Sequence, residues 1–94
     1  MGFTKEGAVE EAKRDLAKRL DIPVADIKDT AVSDRDFPDM SLGSPADGEM
    51  AAQMISSGWV IELEARNERY EYRADKYQLR LHNYNGSNLV IVED

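Results

Sequence analysis

GWVIELEARNERYEYRADKYQLRLH, residues Gly58 to His82, decides the fold. Read in twos, Trp59, Ile61, Leu63 and Ala65 fall on one side, with Glu62, Glu64 and Arg66 on the other. After Asn67-Glu68 the alternation resumes, with Tyr70, Tyr72 and Ala74 against Arg69, Glu71, Arg73 and Asp75. After Asp75-Lys76 it runs a third time, as Tyr77, Leu79 and Leu81 against Gln78, Arg80 and His82. A period of two marks half-buried antiparallel strands, and two-residue connections make the three runs a meander. A turn at Asn67-Glu68 sets Leu63 opposite Tyr72, and one at Asp75-Lys76 sets Tyr72 opposite Leu79. Both place every apolar side chain on one face, whereas a one-residue slip in either would scatter them.

The rest of the chain has to cover that face. Residues from about Thr4 to Leu20 carry Val9, Ala12, Leu16 and Leu20 on one helical stripe, widened by Ala8 and Ala17. Thr4 is the expected N-cap; acids gather near the start, and Lys18 and Arg19 lie near the end, as the helix dipole favours. Pro23 denies Ile22 the helical region and ends the helix. Residues 23–27 read as one turn anchored by Ile22 and Ile27, and residues 28–33 as a short strand joining the meander at an edge. Residues 34–49, DRDFPDMSLGSPADGE, have no sustained period and read as a long loop, which is usually either functional or mobile. Met50 to Ile55 suits a helix or a strand, and an extended segment feeding the Trp59 strand is the preferred reading. In the tail, Asn85-Gly86 signals a turn and Leu89 to Val92 a short strand, which adds to the sheet or packs on the helix. The expected architecture is a single α+β domain over residues 1–94: an N-terminal helix on an antiparallel sheet of about four strands.

Ninety-four residues allow one modest core. No apolar run approaches the roughly 20 residues that span a bilayer. The first residues lack a basic stretch followed by an apolar one, so no signal peptide is expected in the chain as given, which makes the cytoplasm the default location. Without cysteine there are no disulfides, thiolate metal sites or thiol catalysis. A net charge of −7 repels nucleic acid and anionic lipid, so neither is an expected partner. Lys13, Arg14, Lys18 and Arg19 are interleaved with Glu10, Glu11 and Asp15 at helical spacings and read as a salt-bridged, solvated face.

Two resemblances add to this reading. A helix followed by a meander ending Tyr70-Glu71-Tyr72-Arg73-Ala74-Asp75 resembles PepSY domains, whose strands close on a similar Tyr-x-Tyr-x-x-Asp. More specifically, Phe37-Pro38-Asp39-Met40-Ser41-Leu42-Gly43-Ser44-Pro45, with Gly58-Trp59, Ile61, Leu63-Glu64-Ala65 and Tyr70-Glu71-Tyr72, is similar to a group of small uncharacterised prokaryotic proteins. Those carry Trp-Pro-Asp-x-Ser-Leu-Gly-Cys-Pro, so Phe37 stands in place of tryptophan and Ser44 in place of cysteine. The likeness covers most of residues 8 to 82. The PepSY resemblance implies a peptidase-associated, inhibitory or chaperone-like module. Gln53 to Gly58 also resembles the Gln-x-Val-x-Gly hairpin of cystatins, one residue too long and without the Pro-Trp hairpin that should follow.

Candidate chemistry is sparse. Asp34, Asp36, Asp39, Asp47 and Glu49 crowd one loop, but as an EF-hand starting at Asp34 it fails, with Pro38 at the fifth position and Asp39 where glycine belongs. A solvated acidic loop and no metal site is the expectation. Several serines accompany one histidine, His82, without a Gly-x-Ser-x-Gly elbow. Glu62 and Glu64 read as cross-strand partners of Arg69 and Arg73 rather than as an acid and base pair. Trp59, Tyr70, Tyr72 and Tyr77 share a face and read as core beneath the helix rather than as a stacking platform. The sequence thus points to a non-catalytic binding module without a cofactor, a monomer or weak dimer with a protein or peptide partner, of which a peptidase is one class. The alternative is a structural or sensor module recruiting a peptide or second copy at a sheet edge. The candidate binding residues are Phe37, Pro38, Asp39, Met40, Ser41 and Leu42, with Phe37 as anchor and Met40 free for a partner.

Overall fold

A computed structural model describes residues 2–93. Helix α1 (Lys5–Leu20) is followed by a single 3-10 turn (Val24–Asp26) and five strands: β1 (Lys28–Phe37), β2 (Ser56–Ala65), β3 (Glu68–Ala74), β4 (Gln78–Tyr84) and β5 (Ser87–Glu93). They form one antiparallel sheet in the order β1-β2-β3-β4-β5, each strand beside its neighbour in sequence. The fold is α+β, with five strands where four were expected. The fifth arises because Asn85 and Gly86 both adopt left-handed backbone (φ 52° and 86°), folding the tail back onto β4. Among the described residues no helix is long and apolar enough to cross a membrane.

Helix α1 begins where the sequence predicts, with the Thr4 hydroxyl accepting from the Gly7 amide at 3.0 Å. It ends on Asp21 in the left-handed region (φ 55°), whose amide reaches back to the Ala17 carbonyl. Its buried face is Ala8, Ala12, Leu16 and Ala17, with Val9 and Leu20 half-buried at the margins. Three alanines at the contact let the helix approach the sheet closely. Tyr72, fully buried beneath it, sends its hydroxyl to Asp15 at 2.7 Å, and the same carboxylate oxygen accepts from Arg19 at 2.7 Å. Burial and the neighbouring Asp15 push the Tyr72 phenol far above its ordinary range, so it remains a donor. The interleaved charges pair as predicted, Arg14 with Glu11 and Arg19 with Asp15.

The meander keeps its predicted faces except at Tyr77, but shifts its register by two residues at each hairpin. Leu63 lies opposite Tyr70 and Ile61 opposite Tyr72; Tyr72 in turn lies opposite Leu81. The first turn is Arg66-Asn67, both at positive φ (54° and 63°), as a type I′ turn demands. The second is Lys76-Tyr77, closed by Asp75, whose amide bonds the Gln78 carbonyl and whose carboxylate accepts from the Tyr77 and Gln78 amides. Tyr77 therefore leaves the core face expected for it and stands exposed in the turn. A shift of two preserves the pleat, so Ile61, Leu63, Tyr72, Leu79 and Leu81 still form the core under α1. Glu64 faces Arg69 as expected, but Arg73 sits opposite Val60 and pairs instead with Glu71.

β1 also runs four residues further than predicted, through Phe37, so the loop begins at Pro38. That extension brings Phe37 opposite Ser56, on the sheet face away from α1. There Phe37, Leu42 and Val60 make a second, smaller buried cluster. Residues 49–55 belong to no helix or strand, and β2 starts at Ser56.

Candidate binding surface

The sheet face turned away from α1 is lined by Arg73, Gln78, Arg80 and His82, and the loop of residues 38–49 lies across it. Four side chains of β3 and β4 grip this loop. Gln78 Nε2 donates to the Met40 carbonyl (2.6 Å), Arg73 Nη1 to the Leu42 carbonyl (2.9 Å) and Arg80 Nη1 to the Ser44 carbonyl (3.1 Å). Ser44 Oγ lies 2.7 Å from His82 Nδ1. Arg80, 1% exposed, also binds the Glu49 carboxylate through two guanidinium nitrogens, Nη2 to Oε2 at 2.7 Å. Hydrogen bonds from Arg80 hold Glu49 below its ordinary carboxylate range, against the opposing effect of burial.

Within the loop, the Asp39 carboxylate accepts from the Ser41 amide and hydroxyl and from the Gly43 amide. These bonds, the Ser41 hydroxyl foremost, pull Asp39 below its ordinary value. Leu42 and Gly43 then turn through consecutive left-handed conformations (φ 59° and 66°), driving the Leu42 side chain into the small cluster. The expected solvated acidic loop is thus corrected at two positions, since Asp39 and Glu49 spend their charge on fixing the loop.

Of the candidate binding residues, Phe37, Ser41 and Leu42 are buried and Asp39 is committed to its turn, leaving Pro38 exposed and Met40 half-buried. Phe37 is the anchor, as expected, and Leu42 is a second anchor. The loop is held on the sheet as a plug, with Pro38 and part of Met40 left accessible. Met40 lines a shallow recess of about 450 Å³ with Tyr77, Gln78 and Glu93.

The plug supports an apolar surface that pattern reading missed. Met50 (97% exposed), Met54 (63%) and Ile55 (74%) stand in solvent on the segment entering β2, and Tyr77 (58%) stands on the turn beyond it. The two are tied together: Ser56 Oγ donates to Asp75 at 2.6 Å, and the Met40 amide bonds the Ala52 carbonyl at 3.0 Å. Met40, Met54, Ile55 and Tyr77 therefore belong to one end of the sheet. The available signal was the adjacency of Met54 and Ile55, two large apolar groups in a row just before Ser56-Ser57-Gly58, which a strand covered on one face cannot bury together.

Ser44 and His82 touch, and Ser44 is fully buried within the loop. Across the ladder from His82, Glu71 gives its carboxylate to Arg73. Among the described residues, no group of three His, Asp or Glu side chains is placed to hold a metal ion.

Residues 9–82 match the family model described as a domain of unknown function, DUF8738, and the chain belongs to that family. No curated protein and no solved structure matches it.

Proposed function

We propose that this DUF8738 member is a non-catalytic binding module that engages a protein partner through Met54, Ile55 and Tyr77, with Met40 at the margin. The observation that carries this reading is the exposure of these large apolar groups on adjoining segments tied to a hydrogen-bonded frame. Clustered apolar exposure on an otherwise well-buried domain is the ordinary mark of a docking surface. The frame matters as well, because segments already held in place lose little entropy on binding. A peptidase is the partner class to examine first. What suggests this class is the resemblance of Tyr70 to Asp75 to the ending of PepSY domains, and Met54 and Ile55 on the segment entering β2 are the exposed groups that a partner's cleft would take up.

The test compares the wild type with an Ile55→Asp, Tyr77→Ala double variant. Both positions are exposed, so the melting temperature should hold. Quantitative affinity capture from the native extract should yield a partner that the double variant loses by at least about tenfold. That partner, purified, should bind in isolation, and assay of any captured peptidase with and without the domain measures inhibition. Equal capture by wild type and variant would remove these residues from any interface.

A further inference from the structure

We infer that the β5 edge pairs antiparallel with β5 of a second copy of this chain, joining two sheets across a two-fold axis. This is independent of the Met54–Tyr77 surface. The two edges of the sheet differ in kind. β1 carries Lys28, Asp29, Asp34, Arg35 and Asp36 along its length, the charge pattern with which natural edges discourage pairing. β5 reads Ser-Asn-Leu-Val-Ile-Val-Glu, with no charge before Glu93 and no proline.

Width supplies the second argument. Five strands at roughly 4.8 Å spacing make a sheet about 19 Å across, whereas one helix with its side chains covers about 10–12 Å. α1 packs chiefly against β2, toward the opposite edge, and Leu89, Ile91 and Val92 on β5 remain only half-buried. Joining a second sheet at this edge brings the partner's equivalent side chains alongside them.

Self-complementarity selects a second copy over an unrelated strand. Antiparallel pairing centred on Val90 sets Leu89 opposite Ile91, Asn88 opposite Val92 and Ser87 opposite Glu93, with no like charges facing. One guard remains on β5, a bulge that leaves Ile91 between the residues paired with Leu79 and Arg80. Under the two-fold each bulge faces Leu89 of the partner rather than the other bulge. With a short contact and a net charge of −7 on each copy, the pairing is weak, and it should strengthen as salt screens the repulsion.

The experiment is sedimentation across a concentration series at low and high salt, on wild type, Val90→Lys and Val90→Glu. Val90 is 37% exposed, so both variants should melt close to wild type. Wild type should move from monomer toward twice that mass as concentration rises. Each variant sets like charges together at the axis and should stay monomeric, while an equimolar mixture should regain the dimer. A wild type that never dimerises, a single variant that still does, or a mixture that stays monomeric overturns the inference. So does a wild-type monomer that takes up an added strand-forming peptide at β5, which would give the edge to a peptide instead.

Discussion

Arg80 and Glu49 join the centre of β4 to the far end of the loop by two parallel hydrogen bonds, with the guanidinium almost wholly excluded from solvent. A buried pair of this kind adds little net stability over an apolar substitute, but removing one partner strands the other charge. Glu49→Gln should therefore destabilise the fold by about 3 kcal/mol, whereas a joint replacement of Arg80 by Met and Glu49 by Leu should recover much of the loss. Urea unfolding of Glu49→Gln, of Arg80→Met and Glu49→Leu singly, and of the joint replacement measures this; an additive double variant would show that the two residues are not coupled.

The face assignment gives a second expectation. Leu63 is fully buried under α1, while its neighbour Glu64 faces Arg69 on the other side of the sheet. Leu63→Lys should prevent folding, because an unpaired ammonium would enter the core. Glu64→Lys should shift stability by less than about 1 kcal/mol. Similar melting temperatures for the two would contradict the assignment.

These two pairs also show how far the sequence could be read. Leu63 and Glu64 were legible because alternation is a parity signal, and parity survives a register error of two residues. The register itself was not legible, since Asn67 and Asp75 can each serve in turns at neighbouring positions. Only the left-handed Arg66 and the Asp75 carboxylate closing its own turn decide between them. The burial of Arg80 was not legible for a different reason. Alternation separates apolar from polar positions, and a polar residue on the second face is solvated only if nothing covers it. The loop that does so has no period, and its carbonyl groups, which engage Arg73, Gln78 and Arg80, carry no side-chain identity to read. Thr4, Phe37 and Pro23 were legible because each acts locally, through a cap, a large apolar area or a fixed dihedral angle.

His82 sets a pH dependence. Burial, reinforced by Arg73 and opposed by Glu71, pulls the imidazole below its ordinary 6.5. The unfolded chain then binds the proton more readily than the folded one. The stabilisation is complete above 6.5 and is lost as pH falls from there toward the lower folded value. The melting temperature should drop as pH is lowered from about 7.5 to about 5, and His82→Gln should flatten that decline. Glu49 and Asp39, both lowered, act in a separate window, losing their stabilisation only as pH falls below 4.5 and 3.8 respectively. A flat wild-type profile between neutrality and the carboxylate window would refute the role given to His82.

Gly58 answers to space rather than to backbone conformation. A Cβ on it would lie 2.0 Å from the Ala74 carbonyl oxygen, which has no room to retreat within the paired strands. Gly48 is the opposite case, left-handed (φ 76°) with nothing within 4 Å. Gly58→Ala should cost more than about 3 kcal/mol, and Gly48→Ala about 1 kcal/mol from its dihedral alone. Equal costs would mean that β2 and β3 can part at this point without penalty.

Phe37 and Met40, three residues apart at the start of the loop, should separate stability from recognition. Phe37 is 1% exposed, packs with Leu42 and Val60, and has the Arg73 guanidinium 5.9 Å from its ring centre. Phe37→Ala should leave a cavity at the base of the loop and cost about 3–5 kcal/mol. Met40 holds the loop through its main chain, its carbonyl accepting from Gln78 and its amide donating to Ala52, and truncation leaves both bonds in place. Its side chain lines the recess beside Tyr77. Met40→Ala should therefore change stability by less than about 1 kcal/mol while weakening capture of the partner that Ile55 and Tyr77 engage. Thermal melts and affinity capture on the two variants decide the matter. A Met40→Ala protein that melts as low as Phe37→Ala would make Met40 part of the plug, and one that binds as tightly as wild type would place the interface elsewhere on this end of the sheet.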